Sequence, residues 1–217
     1  MHKPAAVLLL GLVHGAFAAP PGIEDCPIRP ATICVEFNLQ SAKLKGADLN
    51  HADLTQTDLS TANLAGANLF RARLDQTNLN ASDLTGARLD GAYMMRASLM
   101  DADLERASLE KADLHSADLD RAILAGANLR GADLSGAHLP GADMRDASLQ
   151  RANLRGAVLD GASLRGADLT GANLENASLR GADLTGAVLD DAIFTRADMV
   201  GCIDCPNRGA RPGTTRR

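Results

Sequence analysis

The sequence predicts an all-β solenoid, a four-sided coil of about eight turns. Three observations predict it. One five-residue unit runs without insertion or deletion from Leu39 to Met199. Leu fills its central position in 28 of the 32 units from Leu44 onward, the exceptions being Met94, Met144, Phe194 and Met199. Ala stands two places earlier in 29 of them, the exceptions being Thr57, Thr77 and Ser82. We write the central position as i.

A period of five fits neither common element. On a helix it rotates the Leu row by roughly 140° per unit, so the row spirals round the cylinder. On a straight strand an odd spacing sends successive Leu to opposite faces. The pattern therefore needs a corner in every unit. Between corners, Ala at i−2 and Leu at i point inward and the residue at i−1 points out. Four corners close a coil of twenty residues, and stacked coils pair backbone to backbone. Thirty-three centres from Leu39 to Met199 give a little over eight coils and a rod of about 40 Å. Gly at i+2, as at Gly46, Gly131 and Gly186, suits the positive φ at the third residue of a type II turn. Where Arg, Asp, Asn or Ser replaces it, corners of another type are expected.

The run A-[D/N]-L-x-x, as in Ala127-Asn128-Leu129-Arg130-Gly131 and Ala132-Asp133-Leu134-Ser135-Gly136, resembles the pentapeptide repeat family. The resemblance implies a right-handed quadrilateral β-helix; the hand comes from the resemblance alone.

Residues 1–18 read as a secretory signal peptide. Lys3 precedes the apolar run Ala5 to Val13, and Ala16-Phe17-Ala18 is a small-x-small cleavage site. The mature chain would start at Ala19, in the periplasm or outside the cell. The apolar run is too short to span a bilayer, so no transmembrane segment is expected in the mature chain. Residues 19–38 read as a Pro-rich lead-in and cap. Ile28, Ile33, Val35 and Phe37 are its candidates to cover the open end of the Leu core. The solenoid is assigned to residues 39–201, and residues 202–217 to a C-terminal cap and a disordered basic tail with Arg208, Arg211, Arg216 and Arg217.

Four cysteines in an exported chain suggest two disulfides. Cys26 and Cys34 fall at one end of the rod and Cys202 and Cys205 at the other. This leaves Cys26–Cys34 and Cys202–Cys205 as the pairing within one molecule. Cys202-Ile203-Asp204-Cys205 has the C-x-x-C spacing of redox enzymes, but Pro206-Asn207-Arg208-Gly209 follows where those enzymes open a helix. A terminal staple is the reading adopted.

The surface can be read in columns, because side chains twenty residues apart stack. Asp fills i−1 twelve times and Asn six in the 32 units, which reads as local hydrogen bonding at the corners. Phe70, Tyr93, Met95 and Met100 occupy outward positions on neighbouring coils and could form an apolar patch for a protein partner. Val188, Ile193 and Val200, with Ile203 beyond them, cluster with inward Phe194 and Met199 as a terminal cap. Because some family members dimerise through the C-terminal end, the same residues are candidates for a homodimer contact.

The composition is poor ground for catalysis or cofactors. His51, His115 and His138 stand apart, no Ser-His-Asp or Cys-His set is legible, and a Leu-filled coil has no cavity for a substrate. No catalytic residue, cofactor or metal site is expected; stacked Asp83 and Asp103 bring too few oxygens together for a cation. The reading is a non-enzymatic rod that binds or scaffolds another protein. The alternative comes from the resemblance: some pentapeptide repeat proteins present an acidic rod to DNA gyrase as a mimic of DNA. That wants about one charge per 1.7 Å of axis. The solenoid carries 23 acidic and 16 basic residues between Phe37 and Gly201, and their net of −7 over about 40 Å is several-fold too sparse. No nucleic acid is expected as a partner.

Overall fold

The computed structural model describes residues 26–206. The leader 1–18, the start of the lead-in and the tail from Asn207 onward lie outside the described residues. The chain winds as a quadrilateral β-helix. Parallel bridges join each outward i−1 residue to the one twenty positions later, from Ile33↔Asp53 to Asp183↔Ile203. Thirty-five outward positions take part, so the rod has close to nine coils.

One unit shows how the backbone is satisfied. Asn128 N–H donates down to Ala107 O at 2.9 Å, Leu129 N–H donates up to Ser148 O at 2.7 Å, and Gly131 N–H donates up to Gln150 O at 2.9 Å. Ala132 N–H closes the corner onto Leu129 O at 3.0 Å. Four of every five backbone donors thus find backbone acceptors, three of them between coils. Buried backbone groups must be paired in this way to be tolerated inside a fold.

The corners are uniform. Every i+2 residue from Ala31 to Gly201 has a positive φ, whether it is glycine or not. Arg106, Asp146 and Asn176 sit at φ of 55°, 56° and 60°, beside 63° at Gly131. The expectation of a second corner type is therefore corrected. An isolated non-glycine residue resists this region by roughly 1–2 kcal/mol, but here the hydrogen bonds to the coils above and below overdetermine the turn.

The interior is one continuous column of Leu and Ala. All but the last of the Leu row, from Leu39 to Leu184, are buried, as are Met94 and Met144. The exceptions at i−2 are accommodated by hydrogen bonds. Buried Thr77 donates its hydroxyl to Leu54 O at 2.7 Å, Ser82 donates to Leu79 O at 2.7 Å, and Thr57 donates to Cys34 O. A buried hydroxyl without such an acceptor would cost about 1–3 kcal/mol.

Coil geometry begins earlier than the Leu row. Ala31 and Glu36 already have φ of 53° and 62°. Cys34 stands at a central position and Phe37 at an Ala position of the same register. The lead-in is thus partly the first coil. This explains a difference from expectation at the cap. Ile28 and Phe37 pack against the core, whereas Ile33 is 73% exposed and Val35 is exposed. In register those two fall at i−1 and i+1, which point out.

Among the described residues no helix is long and apolar enough to cross a membrane.

Candidate functional site

The fifth donor of each unit, the N–H at i+1, has no backbone partner in the ladder. The side chain at i−1 serves it. All nineteen Asp and Asn residues at i−1 from Asn38 to Asp198 accept this N–H through Oδ1. Asn does this as well as Asp: Glu175 N–H reaches Asn173 at 3.0 Å and Thr170 N–H reaches Asp168 at 2.9 Å. Short polar side chains are suited to bonding the backbone two residues on. The row of carboxylates is therefore a structural row first.

At four positions where i−1 is not Asp or Asn, a side chain on the coil below serves the N–H instead. Above Asp75 stands Met95, whose N–H donates to Asp75 Oδ1 at 3.1 Å; the i−1 residue there is Tyr93. Above Asn80 stands Met100, whose N–H donates to Asn80 Oδ1 at 2.9 Å; the i−1 residue is Ser98. Glu110 and Arg180 are served likewise by Asp90 and Asp160. At His138 the i+1 residue is Pro140, which has no N–H to serve.

Tyr93 is 51% exposed and Met95 is 39% exposed, while Phe70 and Met100 are half-buried. The four do not share one face. Phe70 lies on the corner after Leu69, Met95 and Met100 lie on the next two corners, and Tyr93 lies on the face between the first pair. The Phe70 ring is also dressed by neighbours. Arg88 Cζ lies 4.6 Å and Arg71 Cζ 5.2 Å from its centroid, and the His51 ring meets it edge-on at 5.6 Å.

At the C-terminal end Leu189, Phe194 and Met199 are only partly buried against the core. Val188, Ile193, Val200 and Ile203 are exposed. Three of the four i−1 positions in this last coil, residues 188, 193 and 203, carry a β-branched apolar residue in place of Asp or Asn. The central row stops because Asp204 stands where the next Leu would point inward. A carboxylate is too costly to bury there, and the chain turns away with φ of 53° at Asp204. Cys202 is joined to Cys205 at this exit, and Cys26 to Cys34 at the opposite end.

Acidic and basic side chains interleave. Arg121 bridges Asp101 at 2.8 Å and Asp120 at 2.6 Å, and Arg165 and Arg180 reach up to Asp183 and Asp198 at 3.0 and 2.9 Å. Hydrogen bonds from the Thr170 hydroxyl and N–H and from Gln150 hold Asp168 below the usual carboxylate range. Thr185 does the same for Asp183, Arg145 for Asp143, Arg121 for Asp101 and Asn50 for Asp48. A carboxyl lowered in the fold contributes stability above its unfolded value, about 3.9, and loses it as pH falls through the lowered folded value. The thermal midpoint followed by circular dichroism is expected to stay level from about pH 8 to 5 and to fall below about pH 4. A midpoint that rises on acidification would contradict the assignment of these carboxylates.

Histidines are dispersed: His115 Nδ1 lies 3.0 Å from Ser135 Oγ, and His138 Nδ1 lies 3.5 Å from Asp118. Among the described residues no three His, Cys, Asp or Glu side chains converge on a point that could hold a metal ion. Asp83 and Asp103 spend an oxygen each on the N–H groups of Thr85 and Glu105.

Comparison with known proteins follows the geometry. The family model of pentapeptide repeats matches in eight copies over residues 31–60, 62–99, 97–136, 127–166 and 167–203. HetL, a pentapeptide repeat protein involved in heterocyst differentiation regulation in the cyanobacterium Nostoc sp. strain PCC 7120, is 37% identical; the match covers 81% of this chain and 88% of HetL, with a TM-score of 0.46. QnrB1, a plasmid-mediated fluoroquinolone resistance protein, is 19% identical in one structure, covering 83% of this chain and 88% of that one, with a TM-score of 0.62. At that identity the likeness shows the fold alone. No curated protein matches the chain by sequence. With the repeat model spanning the solenoid from residue 31 to 203, the chain belongs to the pentapeptide repeat family.

Proposed function

We propose that this protein is an exported, non-enzymatic scaffold that holds a protein partner against the side of its rod. The observation that carries the reading is the exposed pair Tyr93 and Met95. They occupy positions where the corner hydrogen bond has been moved to Asp75 on the coil below. A large aromatic with a polar tip and a flexible thioether are suited to a protein contact. The filled core supports a binding role over a catalytic one, since a column of buried Leu and Ala leaves a substrate only the outer surface. Export is supported by the leader ending at Ala16-Phe17-Ala18 and by the pairing of all four cysteines, because disulfides persist in oxidising compartments.

The test is photo-crosslinking in living cells from single positions. A crosslinker at Tyr93 or Met95 is expected to give one discrete adduct with another protein. A crosslinker at Ala125, on the opposite corner, is expected to give none. Equal adducts from both sides, or none from either, would overturn the reading.

A second reading is self-association through the last coil. It is favoured by half-buried Leu189, Phe194 and Met199 beside exposed Val188, Ile193, Val200 and Ile203. Sedimentation of the native protein tests it: a dimer that Ile193→Asp converts to monomer supports it, and a monomer at all concentrations removes it. Gyrase mimicry is the less supported alternative, since the carboxylates serve corner N–H groups and arginines. A gyrase supercoiling assay is expected to show no effect.

A further inference from the structure

A disulfide is reduced in place only where an attacking thiolate can reach a sulfur along the S–S axis. The two disulfides differ in this respect. Cys26 and Cys34 are both fully buried. Cys34 stands in the central row, its N–H donates to Asp53 O at 2.7 Å, and its carbonyl accepts the Thr57 hydroxyl. Reaching that bond requires the first coil to open. Cys202 and Cys205 are only partly buried. Their bond spans three residues of sequence at the chain's exit from the last coil.

What the second bond holds follows from the register. Cys202 stands at an inward Ala-type position, where its N–H donates to Met199 O at 3.2 Å. Cys205 follows the left-handed Asp204 and packs back against the core. The bond thus ties Cys205, beyond the turn at Asp204, back to the last coil at Cys202. Val200 and Ile203, 55% and 52% exposed, flank it and offer an apolar rim to an approaching protein.

We propose that Cys202–Cys205 is a reducible latch, opened in the native rod by a dithiol protein of the thioredoxin class while Cys26–Cys34 stays oxidised. One thiolate of the reductant attacks a sulfur of the Cys202–Cys205 bond. That bond breaks and a mixed disulfide forms. The second thiol of the reductant then attacks its own partner sulfur and releases the protein. Two electrons and two protons pass over: Cys202 and Cys205 end as thiols and the reductant ends as a disulfide. The protein is the substrate of this exchange and not its catalyst. Each coil of a solenoid contacts only its neighbours, so opening the latch loosens the last coil and leaves the rest of the rod in place. The inference is independent of the scaffold reading and of the partner at Tyr93.

The experiment uses the oxidised protein under native conditions with reduced thioredoxin as the probe. Thiols are trapped with iodoacetamide and located by peptide mass. Cys202 and Cys205 are expected to be alkylated together, more than about tenfold faster than Cys26 and Cys34, with the difference abolished in denaturant. Amide exchange is expected to rise across residues 184–203 in the reduced protein and equally in Cys205→Ser, and to stay unchanged in the coils before them. Alkylation of Cys26 and Cys34 at the same rate would overturn the proposal. So would a Cys202–Cys205 bond that reacts only after global unfolding, or a reduced protein whose last coil exchanges no faster.

Discussion

Leu129→Asp is expected to abolish the fold of the middle of the rod. Leu129 is fully buried, in a column with Leu109 below and Leu149 above. A carboxylate there would meet only Leu and Ala side chains, with no donor to pair it. The expected loss exceeds about 4 kcal/mol, at the extreme of single substitutions. Because coils are held by their neighbours alone, the damage cannot be spread over a wider core. Four residues on, Asp133→Asn is expected to change stability by less than about 0.5 kcal/mol. Asp133 points outward and uses Oδ1 to accept the Ser135 N–H at 2.9 Å and the Asn153 amide at 3.0 Å, which an asparagine oxygen can also do. Circular dichroism and urea denaturation of the two variants check the contrast. Equal effects would contradict the assignment of inward and outward positions.

The second large effect is expected at the N-terminal cap. Replacing Cys26 and Cys34 together by Ser should cost about 2–4 kcal/mol. Both sulfurs are fully buried, and Cys34 takes a place in the central row that a serine hydroxyl fills poorly. The matching Cys202→Ser and Cys205→Ser pair should cost less overall, since those residues hold only the exit of a partly buried last coil. Urea midpoints of the two double variants report this order; the reverse order would show that the C-terminal end is the one that limits stability.

Much of this architecture is legible in the sequence, for a physical reason. A strict period of five with Leu and Ala at fixed offsets has few geometric solutions, and its register runs unbroken from Leu39 to Met199. The uniform corners are not legible from single residues. Arg106 or Asp146 alone argues against a left-handed turn, and only the ladder of hydrogen bonds between coils reveals why they adopt one. The first coil is hidden because Cys34 replaces Leu, Phe37 replaces Ala and Thr32 takes the preceding Ala position. The compensation at Tyr93 is visible only when Asp75 and Met95 are read together, twenty residues apart. A column reading of the sequence could find it. Phe70, Tyr93, Met95 and Met100 read as outward residues on neighbouring coils, but the coil spreads them over three corners and covers Phe70 with arginine.

The central claim is an exported rod stapled at both ends, and the intact mass of the native protein from separated cell fractions tests it most directly. The account predicts a chain that begins at Ala19, found outside the cytoplasm, and lighter by four hydrogens than its reduced form, one pair for each disulfide. A full-length, fully reduced chain in the cytoplasm would contradict it.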